Sequence, residues 1–391
     1  MADKVIQITS SSPSFSLSSG KGDIEEIMKD DWSAQVAKHL KESYPNLEIE
    51  CWTPEKNYKK ERAFKYLGIK FRAFPTLFSI RIGMEISFSM IKAIREEIKK
   101  AEQENKKLII HVHEYHSWLM YLLLLTINKS KNIKIIAQHH GGRNPLQNLR
   151  KYKRLLLVFP VISLMQFFEN LLYKKVDIFY AFGDKEEKYL RNITQSEIKF
   201  QSMGIRDLFF EKVSKKSARK TLNLDKKKKY VLFLGRIKTT KGIRELLEAM
   251  KDINAELLLI GSGPDMEKYS CFAKKNGIEN VSFLGPIYSD KRLLYLSACD
   301  CLVLPSYTEG APVVIMEAIA RNLPVVASDV GAVSKMITNG REGIVIKPQS
   351  SKDILDAVNK VLCWKSKDIR KYAERYKWDK IIKEMYKDYL K

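Results

Sequence analysis

Cysteine is scarce and unpatterned in this chain: Cys51, Cys271, Cys299, Cys301 and Cys363 are scattered over 391 residues. No Cys-x-x-Cys pair and no disulfide framework is present, which fits a reducing, cytoplasmic setting. No apolar run reaches the ~20 residues that a membrane-spanning helix needs. No secretory leader is expected either, because Lys4 to Thr9 already reads as the start of a strand. Gly-x-Gly-x-x-Gly spacing is missing, which argues against a nicotinamide site. There is no Asp-x-Asp pair of the kind that holds a divalent metal under a diphosphate, so no metal and no cofactor is expected. Interleaved aromatic and basic residues of the RNA-binding kind are also missing, so nucleic acid is not expected as a partner. Acidic residues are outnumbered: 46 Asp+Glu stand against 69 Lys+Arg, a net charge of +23.

That excess is unevenly placed. Val231 to Trp364 holds 16 basic and 15 acidic residues (+1), Lys365 to Lys391 holds 10 and 5 (+5), and Met1 to Tyr230 holds 43 and 26 (+17). The charge therefore belongs to the N-terminal half and the tail, and points to an acidic partner such as an anionic membrane surface or a phosphorylated substrate. The longest apolar run, Leu155 to Phe168, is flanked by Arg150, Lys151, Lys153 and Arg154 and by Lys174 and Lys175. The region near 150–175 thus reads as an interfacial segment at a membrane surface.

A hydrophobic fraction of 45% describes a globular chain with room for about two cores. Apolar strand-like runs at Val5–Thr9, Leu47–Trp52, Leu108–Val112, Ile133–Ala137 and Val176–Ala181 alternate with helical patterns. A second series follows at Tyr230–Leu234, Ala255–Ile260, Val281–Leu284, Cys301–Leu304, Pro324–Ala327 and Ile344–Ile346. Continuous apolar strands between helices predict an α/β fold with two Rossmann-like, doubly wound parallel sheets. The expected division is a basic N-terminal domain over 1–210, a linker over 211–229, a second domain over 230–365 and a C-terminal helix over 366–391 that returns to the first domain. Ligands of such sheets sit beyond the carboxyl ends of the strands, so the expected site is a cleft between the two domains.

The block Ser306 to Ala318 carries the densest information. Glu309 and Glu317 stand eight residues apart, between the strand Cys301–Leu304 and a helix begun near Pro312. That helix is apolar all round except for Glu317, and a buried carboxylate needs a partner, which a hydroxyl-rich ligand such as a ribose diol could supply. Gly235-Arg236 follows a strand and Lys241-Gly242 opens a helix, which places two cations where a helix dipole also favours an anion. Gly261, Gly263 and Pro264 form another turn after a strand. His111 and His113 share one face of a strand but lack a third ligand for a metal. Gln138 to Arg143, which contains His139 and His140, follows another strand and is a candidate wall of the cleft.

Taken together, these blocks resemble the retaining glycosyltransferases of family 4, which have the two-Rossmann B-type fold (GT-B). The matching pieces are Leu232 to Arg236 with Lys241-Gly242, Ile260 to Pro264, Glu309 to Glu317, Met203 to Asp207, and Tyr376 to Asp379. The resemblance implies a nucleotide-sugar donor held by Gly235, Arg236, Lys241, Gly261, Gly263, Glu309, Gly310, Ala311, Pro312 and Glu317. Arg236 and Lys241 would hold its diphosphate, Glu317 its ribose and Glu309 a sugar hydroxyl. His140 would stand near the reacting carbon, with His139 less favoured. The basic N-terminal half and its lysine-flanked apolar segment suggest that the acceptor is lipid-linked or another glycan, with the protein on the cytoplasmic face of a membrane. One departure is plain: where the family often has a Gly-Gly pair before its first helix, this chain reads Lys29-Asp30-Asp31-Trp32-Ser33. Two rival readings share the fold, a nucleotide-sugar epimerase and a non-catalytic partner subunit at the membrane.

Overall fold

The computed structural model describes residues 2–10, 12, 23–77, 85–139, 159–287, 290–365 and 368–391. The chain forms two compact units, one of Met1–Gln201 with Ile382–Lys391 and one of Ser202–Ile381. The boundary thus falls before the lysine-rich stretch 211–229, which is part of the second unit and not a linker. The reason is Arg219, only 6% exposed, on a helix over Lys215–Thr221. Its guanidinium donates to the carbonyls of Ala298, Lys226 and Lys228 and pairs with Asp300 at 2.7 Å. The tail also divides: residues 368–381 belong to the second unit, and only Ile382–Lys391 belongs to the first.

The first unit holds β1 (Lys4–Thr9), β2 (Glu48–Glu55), β3 (Arg62–Tyr66), β4 (Ile69–Pro75), β5 (Leu108–His113), β6 (Ile133–Gln138), β7 (Ile178–Ala181) and β8 (Glu197–Phe200). Their order is β3-β4-β2-β1-β5-β6-β7-β8, parallel throughout except for β3, which pairs antiparallel with β4. Strand β5 is buried along its whole length, as a central parallel strand covered on both faces should be. Helices Phe88–Gln103, Trp118–Thr126 and Phe159–Leu172 pack on this sheet. The last residues of the chain dock on the unit through polar contacts. The Tyr389 hydroxyl accepts from Gln7 at 3.1 Å and lies 2.8 Å from His111 Nδ1, while Tyr386 stacks on Tyr44.

The second unit is a six-stranded parallel sheet of β9 (Tyr230–Leu234), β10 (Glu256–Ile260), β11 (Val281–Gly285), β12 (Cys301–Leu304), β13 (Val325–Ser328) and β14 (Gly343–Ile346). The order β11-β10-β9-β12-β13-β14 makes β9 the point where the winding reverses. Both units are therefore Rossmann-like α/β layers. Two segments far apart in sequence close the second unit. Ile205 N donates to the Tyr376 carbonyl at 2.9 Å, and a Cβ on Gly204 would come within 2.4 Å of the Trp378 ring. Only glycine lets the indole lie that close.

Candidate functional site

The carboxyl ends of β9, β10 and β12 meet at the reversal point, and their loops are tied to one another. Gly235 N donates to Ile260 O at 3.0 Å and Ile237 N to Ser262 O at 2.8 Å. Gly261 sits at φ +146°, and a Cβ there would be 1.8 Å from Gly235 O. Asp265 accepts from the Thr239 amide at 2.6 Å and from its hydroxyl at 2.8 Å. Gly263 makes an equally close approach to Ile237 O. The helix that follows this turn starts at Met266, with Asp265 as its cap. On the other side Tyr307 N donates to Thr240 O at 2.9 Å, and Gly242, at φ +66°, leaves no room for a Cβ against Pro305 O. The frame is rigid because backbone meets backbone.

On this frame the two cations differ. Arg236 is exposed and makes no hydrogen bond or ion pair among the described residues. Lys241 Nζ lies 2.5 Å from Glu309 Oε1, which also accepts from the Ser306 hydroxyl at 2.6 Å. Gly310, Ala311 and Pro312 are half-buried, and the Gly310 carbonyl accepts from Ala332 N at 2.8 Å. Pro312 stands one residue before the helix Val313–Ala320, as its cap.

Glu317, 4% exposed, finds its partner in the protein: Arg292 Nη2 contacts its Oε1. Burial raises its carboxyl pKa above the usual carboxylate range, against the opposing charges of Arg292 and Arg206. Arg292 is the site residue that sequence reasoning missed. It lies 25 positions upstream on another helix, where no local pattern marks it.

In the first unit, His140 lies outside the described residues, as do 150–158 of the segment read as interfacial. His139 is 7% exposed at the end of β6, with Nε2 3.3 Å from Glu114 Oε2 and Nδ1 3.3 Å from Glu186 Oε1. Burial opposes the imidazolium, but the hydrogen bond to Glu186 and the two nearby carboxylates overcome it and raise the His139 pKa. His111 Nδ1 lies 2.8 Å from the Tyr389 hydroxyl and His113 Nε2 lies 2.7 Å from Gln7 Oε1. Among the described residues, no group of three His, Cys, Asp or Glu side chains is placed to hold a metal ion. Asp31 stands where the family's glycines would be. Its carboxylate caps the helix Trp32–Ser43 by accepting from the Ser33 amide at 3.3 Å and hydroxyl at 2.8 Å.

The motifs that frame β9, β10 and β12 coincide with a known family. The family model described as glycosyl transferases group 1 matches residues 214–377. Residues 214–377 belong to the glycosyl transferases group 1 family. An uncharacterised glycosyltransferase of Methanocaldococcus jannaschii is 34% identical over 179 residues, which are 42% of this chain and 46% of that protein. The N,N'-diacetylbacillosaminyl-diphospho-undecaprenol alpha-1,3-N-acetylgalactosaminyltransferase of Campylobacter jejuni is 32% identical over 218 residues, 51% of this chain and 56% of the relative. The chain thus spans about half the length of the curated relatives it matches. Among solved structures, sucrose-phosphate synthase from Thermosynechococcus elongatus superposes with a TM-score of 0.69 at 19% identity, covering 99% of this chain and 98% of that one. The group 1 domain therefore sits within a chain whose fold is that of the two-domain B-type glycosyltransferases.

Proposed function

We propose that the protein is a glycosyltransferase that moves a sugar from a UDP- or GDP-sugar to an acceptor, with retention of anomeric configuration. The observation that supports this is that Arg236 and the Lys241–Glu309 pair lie on the loops after β9 and β12, which flank the reversal point of one parallel sheet inside a group 1 domain. The free guanidinium of Arg236 suits a diphosphate, which it can grip with two parallel hydrogen bonds. Glu309 neutralises Lys241. An arriving diphosphate would draw the ammonium away and leave Glu309 free to accept a sugar hydroxyl. Glu317, held by Arg292, would meet the ribose. His140 would stand beside the reacting carbon. Catalysis would be leaving-group stabilisation by fixed cations, without a metal.

A hydrolysis and binding screen against UDP- and GDP-sugars, with and without EDTA, tests this reading. Slow, EDTA-insensitive release of one nucleotide is the expected result. Failure to bind any nucleotide-sugar would sink it and favour the partner-subunit alternative.

For the acceptor we favour a lipid-linked molecule at the cytoplasmic membrane face, because the Campylobacter relative is an N,N'-diacetylbacillosaminyl-diphospho-undecaprenol alpha-1,3-N-acetylgalactosaminyltransferase. No helix among the described residues is long and apolar enough to cross a membrane. Helix Phe159–Leu172 does expose Leu164, Phe167 and Leu171 along one face, at 47%, 59% and 40%. Basic residues near anionic lipid contribute ~1 kcal/mol each. The protein is expected to float with vesicles containing acidic phospholipid and to be released by high salt. Equal flotation with neutral vesicles would refute the electrostatic part.

A further inference from the structure

The second unit carries a cavity of about 620 Å³ at the edge of its sheet opposite the site described above. Its walls come from residues that precede strands: Lys229 before β9, Asp300 before β12, Pro324 before β13 and Arg341 before β14. Eight lysines and arginines line it against two acidic residues. One of those two is already saturated, since Asp300 meets Arg219 at 2.7 Å and Lys215 at 3.1 Å. Six of the eight, Lys212, Lys215, Arg219, Lys229, Lys365 and Arg370, come from the basic stretches that flank Val231 to Trp364.

Arg321 decides what the cavity is for. It is 7% exposed, and its Nε and Nη2 donate to Ser297 Oγ at 2.9 and 2.6 Å, while Nη1 donates to the Glu211 carbonyl. No carboxylate among the described residues lies within ion-pair distance of it. The Glu211 carboxylate favours its charge from beyond ion-pair distance, the helix terminus it caps adds only a partial negative charge, and the charge of Arg370 opposes both. A buried guanidinium without a full counter-charge is costly. An anion entering the cavity would supply that counter-charge, and the guanidinium fork matches phosphate oxygens. Trp364, Val361 and Leu362 add an apolar wall that a bare ion would not use.

We propose that this cavity binds a small phosphate-bearing metabolite, apart from the nucleotide-sugar site, with Arg321 as its buried anchor. The proposal does not depend on the transfer reaction. It is tested on the full chain by thermal shift and calorimetry with inorganic pyrophosphate, against sodium chloride at matched ionic strength. Arg321→Gln also removes structural bonds, so the deciding variant is the rim double change Lys212→Gln with Arg370→Gln, its folding checked by circular dichroism. Pyrophosphate is expected to raise the melting temperature of the wild type and of Arg236→Ala. Its affinity is expected to fall at least tenfold in the rim variant. No pyrophosphate effect on the wild type would overturn the proposal. So would an effect lost in Arg236→Ala and kept in the rim variant, because the anion would then sit at the other end of the sheet.

Discussion

Replacing Arg236 by alanine is expected to lower sugar transfer by about 10²–10³-fold, the usual loss when one preorganised contact to a leaving group is removed. The melting temperature should hardly move, because the side chain is exposed and bonds to nothing among the described residues. A residue with no structural partner and a large kinetic effect must act on the ligand. Lys241→Ala should lose transfer on the same scale but also alter the stability of the protein. Its ammonium neutralises Glu309 at 2.5 Å, in a pair whose side chains are only 17% and 11% exposed. The variant leaves that carboxylate with the Ser306 hydroxyl alone and should be somewhat less stable. Rates at saturating donor separate the two effects, because a loss of transition-state stabilisation lowers kcat and kcat/KM together. Wild-type turnover in both variants would remove the proposed site.

How much of this was legible in the sequence depended on where the determining contacts lie. Strands Tyr230–Leu234 and Cys301–Leu304 stand where the apolar runs put them, since a strand buried on both faces must be apolar throughout. The hairpin of β3 and β4 was missed. Arg62–Tyr66 is mostly exposed and carries charge, so nothing marks it as a strand. Its two-residue turn is Leu67-Gly68, both at positive φ, without the Asn-Gly or Asp-Gly signal that such turns usually show. The supposed linker failed for a related reason. Lysine-rich composition described its surface, while one buried arginine, Arg219, decided where it belongs.

The site divides along the same line. Arg236, Lys241, Glu309 and the glycines that let the loops touch are local to strand ends, and local patterns found them. The Arg292–Glu317 pair and the unpaired Arg321 are tertiary facts, invisible until helices meet. Glu317 illustrates the limit: its need for a partner was readable from its apolar neighbours, but the partner's identity was not.

Glu169→Ala should destabilise the first unit by about 3 kcal/mol or more, because each buried donor left without its acceptor costs about 1–3 kcal/mol. Glu169 is fully buried on the helix Phe159–Leu172 and gathers four donors. His116 Nδ1 lies 2.9 Å from its Oε1, the Tyr121 and Tyr173 hydroxyls donate at 2.7 and 3.1 Å, and the Tyr189 hydroxyl reaches Oε2. Alanine would leave all four without their acceptor, whereas glutamine keeps an oxygen and should cost less. Burial alone would raise this carboxyl. The hydrogen bond and charge of His116, with the hydroxyls of Tyr189 and Tyr121, outweigh burial and leave its pKa lowered. A carboxyl lowered in the folded state stabilises fully above its unfolded pKa, and that contribution fades as pH falls through the folded value. The gap between wild type and Glu169→Gln should therefore be widest near neutral pH and narrow in acid. A two-unit chain need not unfold in one step, so hydrogen exchange of the β5 and β7 amides, which reports this unit alone, is the appropriate readout. A loss below about 1 kcal/mol for Glu169→Ala, the scale of an ordinary hydrogen bond, would mean that the cluster does not hold the helix to the sheet.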